Sequence, residues 1–155
     1  MRKFLLLLIL LPLLFVSCSS DNDDPTTSDI VGTWVTESVS PKTVDTNDET
    51  LNKAIIKDIA SFGNETFVFT SDGKVTMDDG DDIITANYSL KNNMLTISFM
   101  GQSNSVAINL SANRFTADID ETEYYQEIID FLVPDATATG LEVSKVISSY
   151  VYKRK

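Results

Sequence analysis

Ile30-Val31-Gly32-Thr33-Trp34 is the stretch on which the fold turns, because the residues before it read as an address and those after it as one all-β body. From Gly32 onward apolar side chains recur at every second position, the pattern of strands with one buried and one wet face. The first strand is predicted at about 30 to 37, with Gly32, Trp34 and Thr36 on one face and no helix signal ahead of it. A second spans 65 to 70, where Phe67 and Phe69 alternate with threonines. Asp72-Gly73 then predicts a type I′ hairpin, whose two central residues need positive φ.

The strand after that hairpin, 74 to 78, puts Val75 and Met77 on one side, and the acidic turn Asp78-Asp79-Gly80-Asp81-Asp82 leads to a strand at 82 to 90 carrying Ile84, Ala86, Tyr88 and Leu90. Asn92-Asn93 turns the chain into a face of Leu95, Ile97 and Phe99. Gly101 to Asn104 make the next turn, followed by faces of Val106, Ile108 and Leu110 and of Phe115, Ala117 and Ile119. An eighth strand falls at 141 to 153, with either Ile147 and Val151 or Val146, Tyr150 and Tyr152 facing inward.

Two segments depart from this pattern. Over 49 to 62, Leu51, Ile55, Ile59 and Phe62 fall at helical spacing, with Asp48 as N-cap and Gly63 at the C′ position. Over 121 to 133, Tyr124, Ile128, Phe131 and Leu132 form a second apolar stripe, opened by acidic residues that suit a helix N-terminus and closed by Pro134. Both stripes are read as packing surfaces, since an amphipathic helix in a small domain docks its apolar face.

Eight antiparallel strands joined mostly by short turns predict an all-β, up-and-down barrel, because closure removes the edges that invite aggregation. In this layout the chain resembles the lipocalin-like (calycin) bacterial surface lipoproteins, whose first strand carries a Gly-x-Trp signature matched by Gly32-Thr33-Trp34. The resemblance implies that a basic residue near the chain's end, Arg154 or Lys153, packs over the tryptophan. It implies that helix 49 to 62 lies at the barrel mouth and that helix 121 to 133 precedes the last strand. It also implies binding of a small apolar ligand, for which the interior candidates are Trp34, Phe67, Phe69, Tyr88, Leu95, Ile97, Phe99, Ile108 and Phe115. Eight strands enclose a space that side chains can fill or that can hold one small ligand. Six inward aromatics argue for filling, while Gly32, Ala86 and Ala117 leave gaps. The alternative is therefore an interaction module with a filled barrel, accessory to outer-membrane uptake machinery.

The totals narrow the functions. A chain of 155 residues with 43% hydrophobic content supports one domain with a core. Its formal net charge of -11 repels phosphate backbones, so nucleic acid is not an expected partner. There is no histidine and a single cysteine, Cys18, which removes Ser-His-Asp, Cys-His, zinc-finger and disulfide frameworks together. No enzyme and no cofactor is expected. Glu65, Glu123 and Glu127 could pair as acid and base, but no spacing sets two of them across a cleft. The Asp78, Asp79, Asp81 and Asp82 run offers oxygen ligands to calcium, but it lacks the spacing and distal Glu of an EF-hand loop and reads as a solvated hairpin tip, with no metal.

The address comes first in the chain. Arg2 and Lys3 precede an apolar run from Phe4 to Val16, too short for the roughly 20 residues that cross a bilayer. Residues 1–17 are read as a signal peptide, 18–29 as a lipidated cysteine with an acidic tether, and 30–155 as the barrel domain. Phe15-Val16-Ser17-Cys18 resembles a lipobox, which implies lipid on Cys18 and a membrane as partner. Ser19-Ser20-Asp21-Asn22-Asp23-Asp24 resembles an acidic export signal carried by Asp21, Asp23 and Asp24, which implies a protein held in the outer membrane of a Gram-negative bacterium and facing outward. A plain solvated tether is the other reading of that run.

Overall fold

A computed structural model describes residues 27–155. Cys18 and the three aspartates of the acidic run lie outside them, as does the apolar leader. The chain forms a helical turn α1 (Thr27–Ile30), strand β1 (Gly32–Thr46), helix α2 (Glu49–Ile59) and strands β2 (Thr66–Phe69), β3 (Lys74–Asp78), β4 (Ile83–Lys91), β5 (Met94–Phe99), β6 (Gln102–Leu110) and β7 (Arg114–Asp120). Helices α3 (Thr122–Glu127) and α4 (Ile129–Leu132) then lead to β8 (Val143–Arg154). Each strand pairs antiparallel with its neighbours in sequence, and β8 pairs with β1, so the sheet closes into an eight-stranded barrel.

Closure depends on the first and last strands, and here the structure departs most from the predicted boundaries. β1 runs to Thr46 rather than ending near 37, because irregularities between Thr36 and Ser38 and between Pro41 and Thr43 each insert a residue. Every such bulge reverses which side chains point inward. The strand therefore faces Trp34 and Thr36 inward, then Val39 opposite Tyr150, then Val44 opposite Val146, with Pro41 exposed between them. A single period-two pattern cannot follow that. On β8, of the two registers left open, the structure adopts the one with Val146, Tyr150 and Tyr152 inward, joined by Ser148.

One end of the barrel is sealed by a single assembly. The Arg154 guanidinium lies 4.3 Å from the centre of the Trp34 ring and donates to the carbonyls of Asp29, Val31 and Ala112. The Trp34 indole donates to the Ile30 carbonyl at 2.7 Å. α1, which the sequence did not signal, carries the Asp29 and Ile30 acceptors, while Val31 follows it directly and Ala112 lies in the β6–β7 turn. Gly32 sits at φ +139, and a Cβ there would stand 2.7 Å from an Arg154 nitrogen, so only glycine admits the cation. The Gly-x-Trp signature is thus half of a joint whose other half lies at the chain's far end.

The helices α2 to α4 pack against β1, β8 and one another. Asp48 caps α2 by accepting from the Leu51 amide, as predicted. The helix stops at Ile59 rather than 62, where its last turn tightens into bonds from Ser61 to Asp58 and from Phe62 to Ile59. Gly63, at φ +144, is extended beyond the helix and is not its C′ residue. The predicted helix 121 to 133 is two short helices broken at Ile128, and its inward stripe is Tyr125 and Ile129 rather than Phe131, which is 71% exposed. Leu51, Ile55, Ile59, Tyr125, Ile129, Ala136, Val143 and Val146 form one buried cluster, joined to the barrel interior through Val39.

The tight turns also differ in part. Asn92 and Asn93 both have positive φ and make the type I′ turn. At Asp72-Gly73 only Gly73 has positive φ, and its amide donates to the Thr70 carbonyl, so that loop is a type I turn closed by a left-handed glycine. The turn predicted at Gly101 to Asn104 lies at Met100-Gly101. β6 begins at Gln102 because residues 102 to 105 pair with 96 to 99, tied by Thr96–Ser105 and Ser98–Ser103 hydroxyl contacts.

Arg154→Ala leaves the face of Trp34 bare and three carbonyls without their charged donor. We expect a loss of about 2 to 4 kcal/mol of unfolding free energy in urea titration. A change below about 0.5 kcal/mol would mean that the joint does not hold the barrel shut.

Candidate functional site: the barrel interior

The interior is built from the inward residues of all eight strands. Trp34, Phe67, Phe69, Tyr88, Leu95, Ile97, Ile108 and Phe115 are buried in one cluster, and Phe99 packs against it partly buried. All nine residues predicted for the interior are therefore brought together. The aromatics meet at the sealed end. Phe115 lies edge-on to Trp34 at 5.0 Å and stacks on Tyr152 at 4.5 Å, while Phe69 meets Tyr88 at 4.8 Å. Such pairs contribute about 0.5 to 1.5 kcal/mol each beyond area burial.

Towards the helical end the interior turns polar. Glu121, at the junction of β7 and α3, is 4% exposed and does not cap its own helix; its carboxylate accepts from the Ser148 hydroxyl and, at 2.6 Å, from the Tyr150 hydroxyl. Its backbone amide donates to the Val146 carbonyl and its carbonyl accepts from the Tyr125 amide. One residue thus ties the helical cap to the barrel wall. Glu65 lies two positions before Phe67 on the same face and accepts from the Tyr152 hydroxyl at 3.1 Å. Asp58 on α2 accepts from the Tyr125 hydroxyl at 3.1 Å.

The electrostatics follow from that placement. Burial pushes the Glu121 carboxyl above the ordinary carboxylate range, helped by the charges of Asp58 and Asp120, while the Ser148 and Tyr150 hydrogen bonds hold it partly back. Burial also raises Tyr150 and Tyr152, and the nearby Glu121 and Glu65 charges raise them further, so both stay protonated and donate. Cations are arranged on the outer surface instead, where Arg114 bridges Glu37, Lys42 bridges Asp118, and Lys145 bridges Asp120.

Of the carboxylates considered from sequence, Glu65 lies in the interior, while Glu123 and Glu127 stand exposed on α3. Glu121, Ser148, Tyr150 and Tyr152 were absent from the expected site. For Glu65 a signal existed, since it shares the parity of Phe67 and Phe69. For Glu121 none did, because it sits where a strand becomes a helix and neither period applies. In the acidic turn, Asp78 accepts from the Gly80 amide and Asp79 from those of Asp81 and Asp82, so these carboxylates bind their own loop.

A closed, up-and-down, eight-stranded barrel with an aromatic interior, a sealed Trp-Arg end and a helical cap defines the class. Residues 30–117 match the family model described as a lipocalin-like domain. The chain belongs to that family. Comparison with curated proteins and with solved structures returns no match.

The raised Glu121 carboxyl fixes a pH dependence. Between the unfolded and the folded value the native state holds more protons, so this group's contribution to stability falls as pH rises through that window and is restored by acidification. Glu121→Gln should therefore be favoured relative to the parent at pH 8, with the gap closing as pH falls below the ordinary carboxylate range. Denaturant titrations at several pH values read this directly, and a gap independent of pH would refute the assignment.

Proposed function

We propose that this chain is a lipid-anchored surface lipoprotein whose barrel binds a small, uncharged apolar molecule and carries out no catalysis. The observation that carries the ligand reading is the state of the inward side chains away from the sealed end. Ile84, Phe99, Val106 and Ile119 point inward yet are only partly buried, so neighbouring side chains do not fill that part of the barrel as they fill the aromatic end. Family membership supports the same reading. A ligand without an anionic head group fits best, because the buried carboxyl of Glu121 faces the interior among the hydroxyls of Ser148 and Tyr150.

The anchor reading is supported by the only cysteine standing directly after Phe15-Val16-Ser17, behind a basic and apolar leader. Each acyl CH₂ buried in a bilayer contributes about 0.8 kcal/mol, so more than one chain on Cys18 anchors the protein durably. The acidic Asp21, Asp23 and Asp24 support outward display on a Gram-negative outer membrane. A second reading, a filled barrel acting as an interaction module beside uptake machinery, is favoured by the aromatic contacts that close the Trp34 end.

Two measurements test the proposal. Cys18→Ser should move the protein from the membrane fraction to the soluble one; a mutant still sedimenting with membranes would end the anchor reading. The neutral fluorophore N-phenyl-1-naphthylamine should bind saturably, whereas the sulfonate 1-anilinonaphthalene-8-sulfonate should bind at least about tenfold more weakly. Equal binding of the two would remove the charge selectivity, and no binding of either would favour the filled module.

A further inference from the structure

The net charge of the chain hides a segregation along the barrel axis. Because the strands alternate in direction around a closed ring, the β2–β3, β4–β5 and β6–β7 turns, the start of β1 and the end of β8 all lie at the Trp34–Arg154 floor. That floor carries Lys74, Lys91, Arg114, Lys153, Arg154 and Lys155, six of the ten described cations. Against them stand Asp29, Glu37 and Asp72, three of the twenty described acidic residues. The other carboxylates lie towards the β1–β2, β3–β4 and β7–β8 connections, at the far end of the barrel.

Two features single out the floor cations. Lys74, Lys91, Lys153 and Lys155 are exposed and form no ion pair among the described residues, whereas Lys42, Lys53 and Lys145 are each bridged to a carboxylate. They also come from opposite sides of the molecule, since β3 and β4, which carry Lys74 and Lys91, lie across the eight-stranded ring from β7 and β8, which carry Arg114 and Lys153. A flat anionic surface meeting the barrel end-on therefore finds cations on both sides of the axis. The distant carboxylates barely oppose it, because strands of this length set the two ends on the order of 20 Å apart, and salt screens charge over about 8 Å.

The chain before Thr27 leaves from this same end, where the Thr27 hydroxyl reaches the Leu90 carbonyl next to Lys91. Eight residues separate Cys18 from Thr27, and they span at most about 30 Å, so a membrane holding that cysteine lies within reach of the floor. We propose that the floor is a docking face for a membrane leaflet bearing anionic phosphate head groups, on which the barrel stands end-on through Lys74, Lys91, Lys153 and Lys155. That occupant follows from the anchor reading above, whereas the docking itself needs no lipid on the protein. Each lysine near an anionic leaflet strengthens binding about fivefold, while Asp21, Asp23 and Asp24 of the tether weaken it.

The test uses residues 19–155, because every described element and both buried clusters fall within 27–155, and the apolar leader would itself bind lipid. The tether aspartates stay in place, so docking is measured against their repulsion. The protein is sedimented at low ionic strength with vesicles of phosphatidylcholine, with and without phosphatidylglycerol. Binding should appear only on the anionic vesicles and fall away with added salt. Lys91→Glu with Lys153→Glu should weaken it by at least about tenfold. Lys53→Glu with Lys57→Glu, which changes the net charge equally but on α2, should leave it within about twofold of the parent. All four lysines are exposed, so both variants should keep the parent's urea midpoint; Lys91→Gln with Lys153→Gln, a milder change, should still lose binding several-fold. A parent that ignores anionic vesicles, or equal losses in the floor and α2 variants, would overturn the docking face. The anchor reading fails separately, because high salt undoes docking and leaves a lipid on Cys18 in the bilayer.

Discussion

The cation laid over Trp34 is the contact on which the rest of the barrel depends. Arg154 belongs to the last strand and Trp34 to the first, so their stacking fixes the register in which the sheet meets itself. The same guanidinium satisfies three carbonyls around α1 and the β6–β7 turn, drawing the start of the chain, its end and a distant hairpin to one point. Because charge-assisted bonds are directional, this joint specifies geometry in a way that the apolar interior alone does not. Gly32 is the sterically obligatory component, since any side chain there would displace the cation.

From that fixed end the interior changes character along its length. Aromatic rings pack on one another near Trp34, and hydroxyls with two inward carboxylates occupy the region below the helices. A buried carboxylate is tolerated only when its oxygens are satisfied, and Glu121 meets that condition through Ser148 and Tyr150 while anchoring α3 through its backbone. The helical cap is therefore held by polar bonds at its root and apolar packing across its face. Three ion pairs, Lys42–Asp118, Arg114–Glu37 and Lys145–Asp120, lie on the outer wall instead.

Much of this was legible in the sequence, for a physical reason that also explains what was not. Strands β3 to β7 are short, regular and joined by tight turns, so alternation alone identifies their inward residues, from Val75 through Phe115. β1 defeats that method because its bulges reverse the alternation partway along, and the reading lost the strand where the first one falls. In the second helical segment Tyr124, Ile128 and Leu132 pack against the buried cluster as read, Phe131 does not, and Tyr125 and Ile129, which the stripe left out, are the most buried, with Tyr125 bonded to Asp58 67 residues away. Glu121 and Ser148 emerge only from tertiary pairing, and the pairing of β8 with β1 and β7 also decides between the two registers read from sequence, turning Tyr150 and Tyr152 inward.

The described chain starts at Thr27, whose hydroxyl reaches the Leu90 carbonyl beside the β4–β5 turn. Whatever precedes it therefore departs from the Trp-Arg floor of the molecule. A lipid on Cys18, as proposed above, would tether the molecule by this floor rather than by its helices.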